Sequence, residues 1–260
     1  MRRRATELLG LGLQDISPAL SFGIGLDASG QINSLEITPS RVRVTRLTYE
    51  AADAALDDEP LASLWRLLQG YHAWRQAQGA VEINLPEVDV FVQEGTVVIE
   101  PVPSLRSRSL VENAMILTGD AVARFALQHA IALPFATQEV GDEATAALRH
   151  AQTMSQMLAL RKTMRRSQYR TVADPHGGLG LPAYVQTTSP LRRYLDLVVH
   201  QQLRAYRRGE PLLSQADILA RMAAIEAVNS SLREAANKSN THWTPVDLLQ
   251  HPDWQGEGVM

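Results

Sequence analysis

His176-Gly-Gly-Leu-Gly-Leu-Pro-Ala-Tyr-Val-Gln-Thr-Thr-Ser-Pro-Leu-Arg-Arg-Tyr-Leu-Asp196 sets a glycine-rich segment, an extended piece and a helix start in direct succession. Pro182 to Gln186 reads as the extended piece. Ser189 is a good N-cap residue and Pro190 falls at the first helical position, which predicts a helix from that point. Leu191, Tyr194, Leu195, Val198 and Gln202 give it a buried stripe, and Gly209 with Pro211 ends it. Arg192 and Arg193 then lie in the first turn, against the positive end of the helix dipole, an unfavourable placement unless an anion is present. The hydroxyls of Thr188 and Ser189, free backbone N–H groups and the Arg192 guanidinium would together cradle a phosphate. The alternative is that Asp196, on the next turn, simply neutralises both arginines.

Outward from this stretch, strands come early and long helices late. Leu20 to Leu26 and Ile32 to Ile37, joined by Asp27-Ala28-Ser29-Gly30, predict a hairpin. Arg41 to Leu47 adds a further strand. Leu61, Leu64, Trp65, Leu68, Tyr71 and His72 follow helical spacing, and Gly79 closes that helix. Ala80 to Val92 alternates as strands do, interrupted by Pro86, with Thr96 to Glu100 as its partner. Val111, Ala114, Met115, Thr118, Val122, Phe125 and Ala126 make one helical stripe. Ala144 to Met164 predicts a second long helix, and Gln215 to Trp243 a last one. The expected architecture is α+β: a mixed or antiparallel sheet in the N-terminal half, wrapped by long helices of the C-terminal half.

The 260 residues are 45% apolar and 20% charged, enough to bury a sizeable core. No apolar run approaches the roughly 18 to 20 residues of a membrane-spanning helix, so no membrane partner is expected. Met1-Arg-Arg-Arg4 before Leu8 to Leu13 imitates an export signal, but its apolar part is too short, and a cytoplasmic location is expected. With no cysteine, thiolate metal sites, disulfides and cysteine nucleophiles are excluded. The formal charge of −3 hides a separation of signs. Between Arg161 and Arg208 stand Arg161, Lys162, Arg165, Arg166, Arg170, Arg192, Arg193, Arg204, Arg207 and Arg208, against only Asp174 and Asp196. Such a segment suits a polyanion.

The stretch from His176 through His200 resembles the ribonuclease II family of exoribonucleases. Leu47-Thr-Tyr-Glu-Ala-Ala-Asp-Ala-Ala-Leu56, Gly79-Ala-Val-Glu-Ile-Asn-Leu-Pro-Glu87 and Leu110-Val-Glu-Asn-Ala-Met-Ile-Leu117 resemble further segments of that family, in the family's order. The likeness runs from about Leu20 to Trp243. It implies a catalytic domain that draws in single-stranded RNA and hydrolyses it processively from the 3′ end. By the resemblance, Arg192 contacts the phosphate near the scissile bond and is the one catalytic residue carried over, with Arg193 assisting or purely structural. Tyr49 corresponds to a tyrosine that packs against the terminal nucleotides, the alternative being a tyrosine that caps a core. Glu112 corresponds to a glutamate at the 3′-terminal nucleotides. Without the resemblance it is a solvated helix residue. The implied RNA-binding set is Tyr49, Glu112, Thr188, Ser189, Arg192 and Arg193.

The chain also departs from the family. The resemblance implies Mg²⁺ held by four aspartates spaced as Asp, five residues, Asp, one residue, Asp-Asp, and that spacing is missing here. In the family it lies upstream of the part that Leu20 begins to match, so it would fall before Met1. Asp57-Asp58-Glu59 and the pair Glu87 and Asp89 read as solvated acids rather than replacements. Asn113 and Gly119 stand where the family has a second glutamate and an asparagine, and Ala236 stands near an expected acid, with Glu234 close by. Residues 1–243 are therefore expected to be part of a ribonuclease II catalytic domain. The tail, 244–260, lies where an OB-type barrel would begin. Three functions stay open: a partial exoribonuclease domain inactive alone, a non-catalytic RNA-binding scaffold, or one half of an enzyme completed by a separate N-terminal half.

Overall fold

A computed structural model describes residues 3–139 and 151–255. Its contacts divide into two units, and each is described by itself. The first comprises residues 3–81, 105–139 and 165–222. Helix α1 (Arg3–Leu9) precedes β1 (Ser17–Leu26), which pairs antiparallel with β2 (Ile32–Val42). The predicted turn forms as follows. Asp27 Oδ1 accepts the backbone N–H groups of Ser29 and Gln31, and Gly30 takes φ +83° with its Cα against the Gly70 carbonyl, where a Cβ would sit 2.6 Å from the oxygen. Arg41 and Val42 only finish β2, and residues 43–48 form no further strand. Val44 and Leu47 stay exposed, because the chain leaves the ladder toward Thr48, whose hydroxyl caps α2 (Tyr49–Ala54).

Helix α3 (Leu61–Ala77) ends as predicted: Gly79 has φ +90°, and the Ala80 N–H bonds to Arg75 O. Helix α4 (Arg106–Gln128) is the centre of the unit. Its burial does not follow the predicted stripe. Val111 is exposed, whereas Ile116, Leu117 and every residue from Gly119 to Ala123 are buried. A helix packed on several sides has no single apolar face. Strands β5 (Phe135–Thr137) and β6 (Gln168–Arg170) pair antiparallel, and the Ala136 N–H bonds to Tyr184 O, so the expected extended piece runs beside β5. Helix α6 (Tyr194–Arg208) is closed by Gly209 at φ +64°. Helix α7 (Gln215–Gln250) starts on Ser214, whose hydroxyl and N–H both engage the Asp217 carboxylate, and runs past the expected end at Trp243.

Side chains of α4, the β5 neighbourhood and α6 form one core cluster, including Val122, Leu133, Phe135, Val185 and Leu203. Leu56, Leu68, Tyr71, Leu117 and Leu181 form a second, and Leu195, Val198, Ile218 and Met222 a third. Fully burying each such side chain contributes about 1.5–3 kcal/mol.

The second unit comprises residues 82–104, 151–164 and 223–255 among those described. Of the predicted 80–92 strand only the part from Val88 pairs, as β3 (Val88–Gln93), with β4 (Thr96–Pro101), across a turn in which Glu94 and Gly95 both have positive φ. Pro86, which has no N–H to donate, lies outside the ladder. Helix α5 (Met154–Thr163) begins with a capping box between Thr153 and Gln156. The first part of the expected helix from Ala144 lies outside the described residues. Among the described residues the paired strands are antiparallel, but they form three two-stranded ladders rather than one sheet.

Candidate functional site

The glycine-rich segment builds a tight corner. His176 and Leu181 bond to each other through their backbones, and Gly177–Leu179 form one 3₁₀ turn between them. Gly180 has φ +65°, and a Cβ there would lie 2.7 Å from both Ala80 N and Arg75 O, so the corner seats on the end of α3 only as glycine. Gln138 fastens it further, its carbonyl accepting the Gly177 N–H and its side-chain oxygen the Gly178 N–H. The corner leads to Tyr184, whose ring meets the His176 imidazole edge-on at 5.7 Å. Burial pushes the Tyr184 hydroxyl up to about 12, Arg193 and Arg75 pulling against that and Asp196 and Tyr169 adding to it. Burial holds His176 down at about 4, with Nδ1 buried and unpartnered.

The helix predicted from Ser189 begins later. Arg193 is its N-cap, and Ser189 to Arg192 form a turn in which the Ser189 carbonyl accepts both the Arg192 and Arg193 N–H groups. Ser189 is therefore not the cap, and the two arginines do not lie in the first helical turn. Pro190 fits the second position of a turn as well as a first helical position. What selects the turn is Asp196, fully buried, whose Oδ2 accepts the Ser189 N–H at 2.8 Å and Arg193 Nε and Nη2 at 3.0 and 2.7 Å. Arg193 Nη2 also donates to the Thr188 hydroxyl at 3.3 Å. Arg193 is thus a brace inside the turn. Arg192 is exposed and has no ion pair or side-chain hydrogen bond among the described residues. The two readings of the arginine pair divide between its members: Asp196 neutralises Arg193 and leaves Arg192 available. On the inner side, Thr187 O bonds His200 Nε2 at 2.8 Å, while Thr187 Oγ1 and Asp196 Oδ1 are buried without partners.

Tyr49 opens α2 and Glu112 lies on α4, two helices that pack on each other. Ser107 donates its hydroxyl to Tyr49 O and its N–H to Asp53, both at 2.8 Å. The next residue, Arg108, lays its guanidinium over the Tyr49 ring, 4.4 Å from the centroid. Tyr49 is 38% exposed. Glu112, one helical turn beyond Arg108, is exposed, and its charge reaches Arg75. Burial lowers the Arg75 pKa, opposed by Tyr71, Glu112, Asp120 and Tyr184. Arg75 thus feels both Glu112 and Tyr184, and Tyr184 in turn feels Arg193. Sequence reading missed Arg75, Arg108 and a buried network in which Tyr71 donates to Asp120 at 3.0 Å and Arg124 binds the same carboxylate at 2.7 Å. A signal was present: Asp120 is an acid inside Ile116 to Ala126, where an unpaired carboxylate would be prohibitive.

The cationic segment is less free than its composition suggests. Arg165, Arg170, Arg193 and Arg208 pair with Glu139, Asp174, Asp196 and Glu210. Among the expected solvated acids, Glu59 pairs with Arg66 and Asp57 with Arg106.

Residues 2–209 match the RNB domain. The chain belongs to the RNB domain family. An uncharacterized ribonuclease of Synechocystis sp. is 35% identical over 265 residues, covering 93% of this chain and 38% of that protein. The chloroplastic/mitochondrial ribonuclease II of Arabidopsis thaliana is 30% identical over 252 residues, covering 90% and 31%. The RNB chain thus spans about a third of the length of these relatives. Among solved structures, Mycoplasma genitalium ribonuclease R in complex with ribose-methylated single-stranded RNA is similar with TM-score 0.79 at 17% identity, covering 91% of this chain and 45% of that one. The expected resemblance and the α+β architecture both hold.

The departures of this RNB chain have physical reasons. Asn113 is buried, accepts from Arg75 Nη2 at 2.7 Å and donates to Ser109 O, so it is the partner of an interior arginine. At Gly119 a Cβ would meet Tyr184 Cε2 at 2.3 Å and Val185 O at 2.4 Å, which leaves no room for an asparagine. Glu234 is exposed on α7 and pairs with Lys238 at 2.7 Å. The ribonuclease II family implies a divalent metal, but the residues here do not fit one. Among the described residues no three acids or histidines gather, and Asp196, with its open Oδ1, is already held by a guanidinium. No helix among them is long and apolar enough to cross a membrane.

Proposed function

We propose that this RNB-domain chain binds single-stranded RNA, with Arg192 gripping a phosphate and Tyr49 and Glu112 receiving the 3′-terminal nucleotides, and that it does not hydrolyse RNA alone. The observation that carries the proposal is the turn in which Asp196 satisfies Arg193 and leaves the neighbouring guanidinium exposed and unpartnered. An exposed guanidinium on a backbone this firmly held can bind a phosphate through two parallel bonds without first being ordered. Thr188 accepts a bond from Arg193, so its part is to hold the turn, and the Ser189 hydroxyl would add a donor to the phosphate. Glu112 would accept a bond from a base or a 2′-hydroxyl, the group that separates RNA from DNA.

In the complete family enzyme the implied metal is Mg²⁺, a Lewis acid that would supply charge stabilisation at the reacting phosphate, and the described residues of this chain do not form its site. In that complex Arg192 would stabilise phosphate charge in the transition state. The acids to hold the metal would come from a separate N-terminal half. On this reading residues 1–243 are part of the catalytic domain, 244–260 lead toward a further module, and the setting is cytoplasmic. A non-catalytic RNA-binding scaffold would share the same grip. The test is to mix the chain with Mg²⁺ and a labelled single-stranded RNA. The expected result is a retained complex and an unshortened strand. Unaided degradation refutes the inactivity, and failure to bind refutes the whole proposal.

A further inference from the structure

Arg108 lies over a tyrosine ring, its charge reaching Glu50 without bonding to it. Its guanidinium lies over the Tyr49 ring at 4.4 Å, its Nε is buried without a partner, and the side chain forms no ion pair or hydrogen bond among the described residues. Glu112 lies one turn along the same helix and Glu50 beside Tyr49, yet neither bonds to it. An arginine needed only to fasten α2 to α4 would do better bonded to one of these carboxylates. The fastening is already supplied by its neighbour Ser107, which holds the Tyr49 carbonyl and the Asp53 carboxylate. What Arg108 adds is a fixed plane against the ring of a tyrosine that stays 38% exposed.

We infer that Arg108 is a positioning residue for RNA: it holds the Tyr49 ring by cation–π stacking so that this partly exposed ring is preset to stack on a nucleobase. The inference rests on the proposed role of Tyr49 and deepens it. Stacking gains from a ring whose rotamer is fixed beforehand, because less side-chain freedom is lost on binding. Cation–π contact at a partly exposed ring is worth a few-fold in affinity.

The experiment is fluorescence anisotropy of a labelled single-stranded oligoadenylate with the full chain, at several salt concentrations. The variants are Arg108→Gln, Arg108→Lys, Tyr49→Ala and the double variant Y49A/R108Q, with thermal melts as a fold control. Arg108→Gln should weaken binding about two- to fivefold, Arg108→Lys should restore much of it, and the salt slope should not change. The double variant should bind as Tyr49→Ala alone does. Should Arg108→Gln fail to fold, Arg108→Met, which keeps the packing stem, replaces it. Additive losses in the double variant, or a salt slope reduced by about 0.7 as for a lost phosphate contact, would overturn the positioning role. So would wild-type affinity in Arg108→Gln. A wild-type chain that ignores the oligonucleotide instead removes the proposed function beneath it.

Discussion

Replacing Arg192 and Arg193 one at a time by alanine should separate two roles that adjacent, identical residues would otherwise share. Arg193→Ala removes two of the three donors from Asp196 Oδ2 and leaves a fully buried carboxylate holding only the Ser189 N–H. Breaking a fully buried pair costs about 3–5 kcal/mol. The Arg193 side chain is 27% exposed, so water replaces part of the loss, and about 1–3 kcal/mol is the fitting range. For a chain of this size that is a fall in Tm of roughly 2–12 °C. Arg192→Ala removes an exposed side chain with no partner, so its stability should stay within about 0.5 kcal/mol of wild type. Binding should show the reverse order. Losing one phosphate contact to a single strand lowers the slope of log affinity against log salt by about 0.7, so across a tenfold rise in salt the variant loses about fivefold less affinity than the parent. Differential scanning fluorimetry and an anisotropy salt titration read the two effects. If Arg192→Ala lowers Tm as much as Arg193→Ala, or leaves the salt slope unchanged, the division of labour drawn from Asp196 is wrong.

Tyr49→Ala should weaken binding of single-stranded RNA by about 1–3 kcal/mol, with little change in salt slope. Equal affinity in an equilibrium titration would return Tyr49 to a purely structural place. His176 is held neutral by burial, with a pKa near 4 against about 6.5 in an unfolded chain. Its contribution to stability is therefore fully present above about pH 6.5, and is lost as pH falls toward 4, because the unfolded chain takes up the proton first. Melts of wild type and His176→Asn across that window should converge at low pH; parallel curves would contradict the burial. Gly119→Ala, which in an open helix would stabilise by about 0.5–1 kcal/mol, should here destabilise by about 1–3 kcal/mol because the new methyl meets Tyr184 and Val185. A raised Tm would mean that α4 can retreat.

Much of the local architecture was legible wherever a short stretch carries its own chemistry. Asp27 to Gly30 specifies its turn, and Gly79 and Gly209 end their helices, whereas the expected strands-then-helices order gives way to an interleaved one, with α1 to α3 before β3 and with β5 and β6 after α4. The family likeness was readable because the motifs preserve order along the chain. What could not be read were decisions made by distant partners. Ser189 and Pro190 carry every local mark of a helix start. The start moves to Arg193 because a carboxylate seven residues beyond Ser189 takes the Ser189 N–H in a dry interior. The stripe on α4 failed for a related reason, since the residues that surround it come from several separated segments. Arg75 with Asn113, and Tyr71 with Asp120, are 38 and 49 positions apart, beyond any periodicity. Within the candidate site, residue types were legible and their division of labour was not. Nothing in the pair Arg192-Arg193 says which one turns inward.

The Asp196 bond to the Ser189 amide has a consequence beyond geometry. Protons on turn amides normally trade with solvent quickly, because local fluctuation suffices to expose them. The Ser189 proton is tied to a carboxylate that water does not reach, so its exchange with deuterated solvent must wait for the base of α6 to open. A peptide spanning the Thr-Ser-Pro corner should then label on the slow schedule of the interior, although no helix or strand contains it.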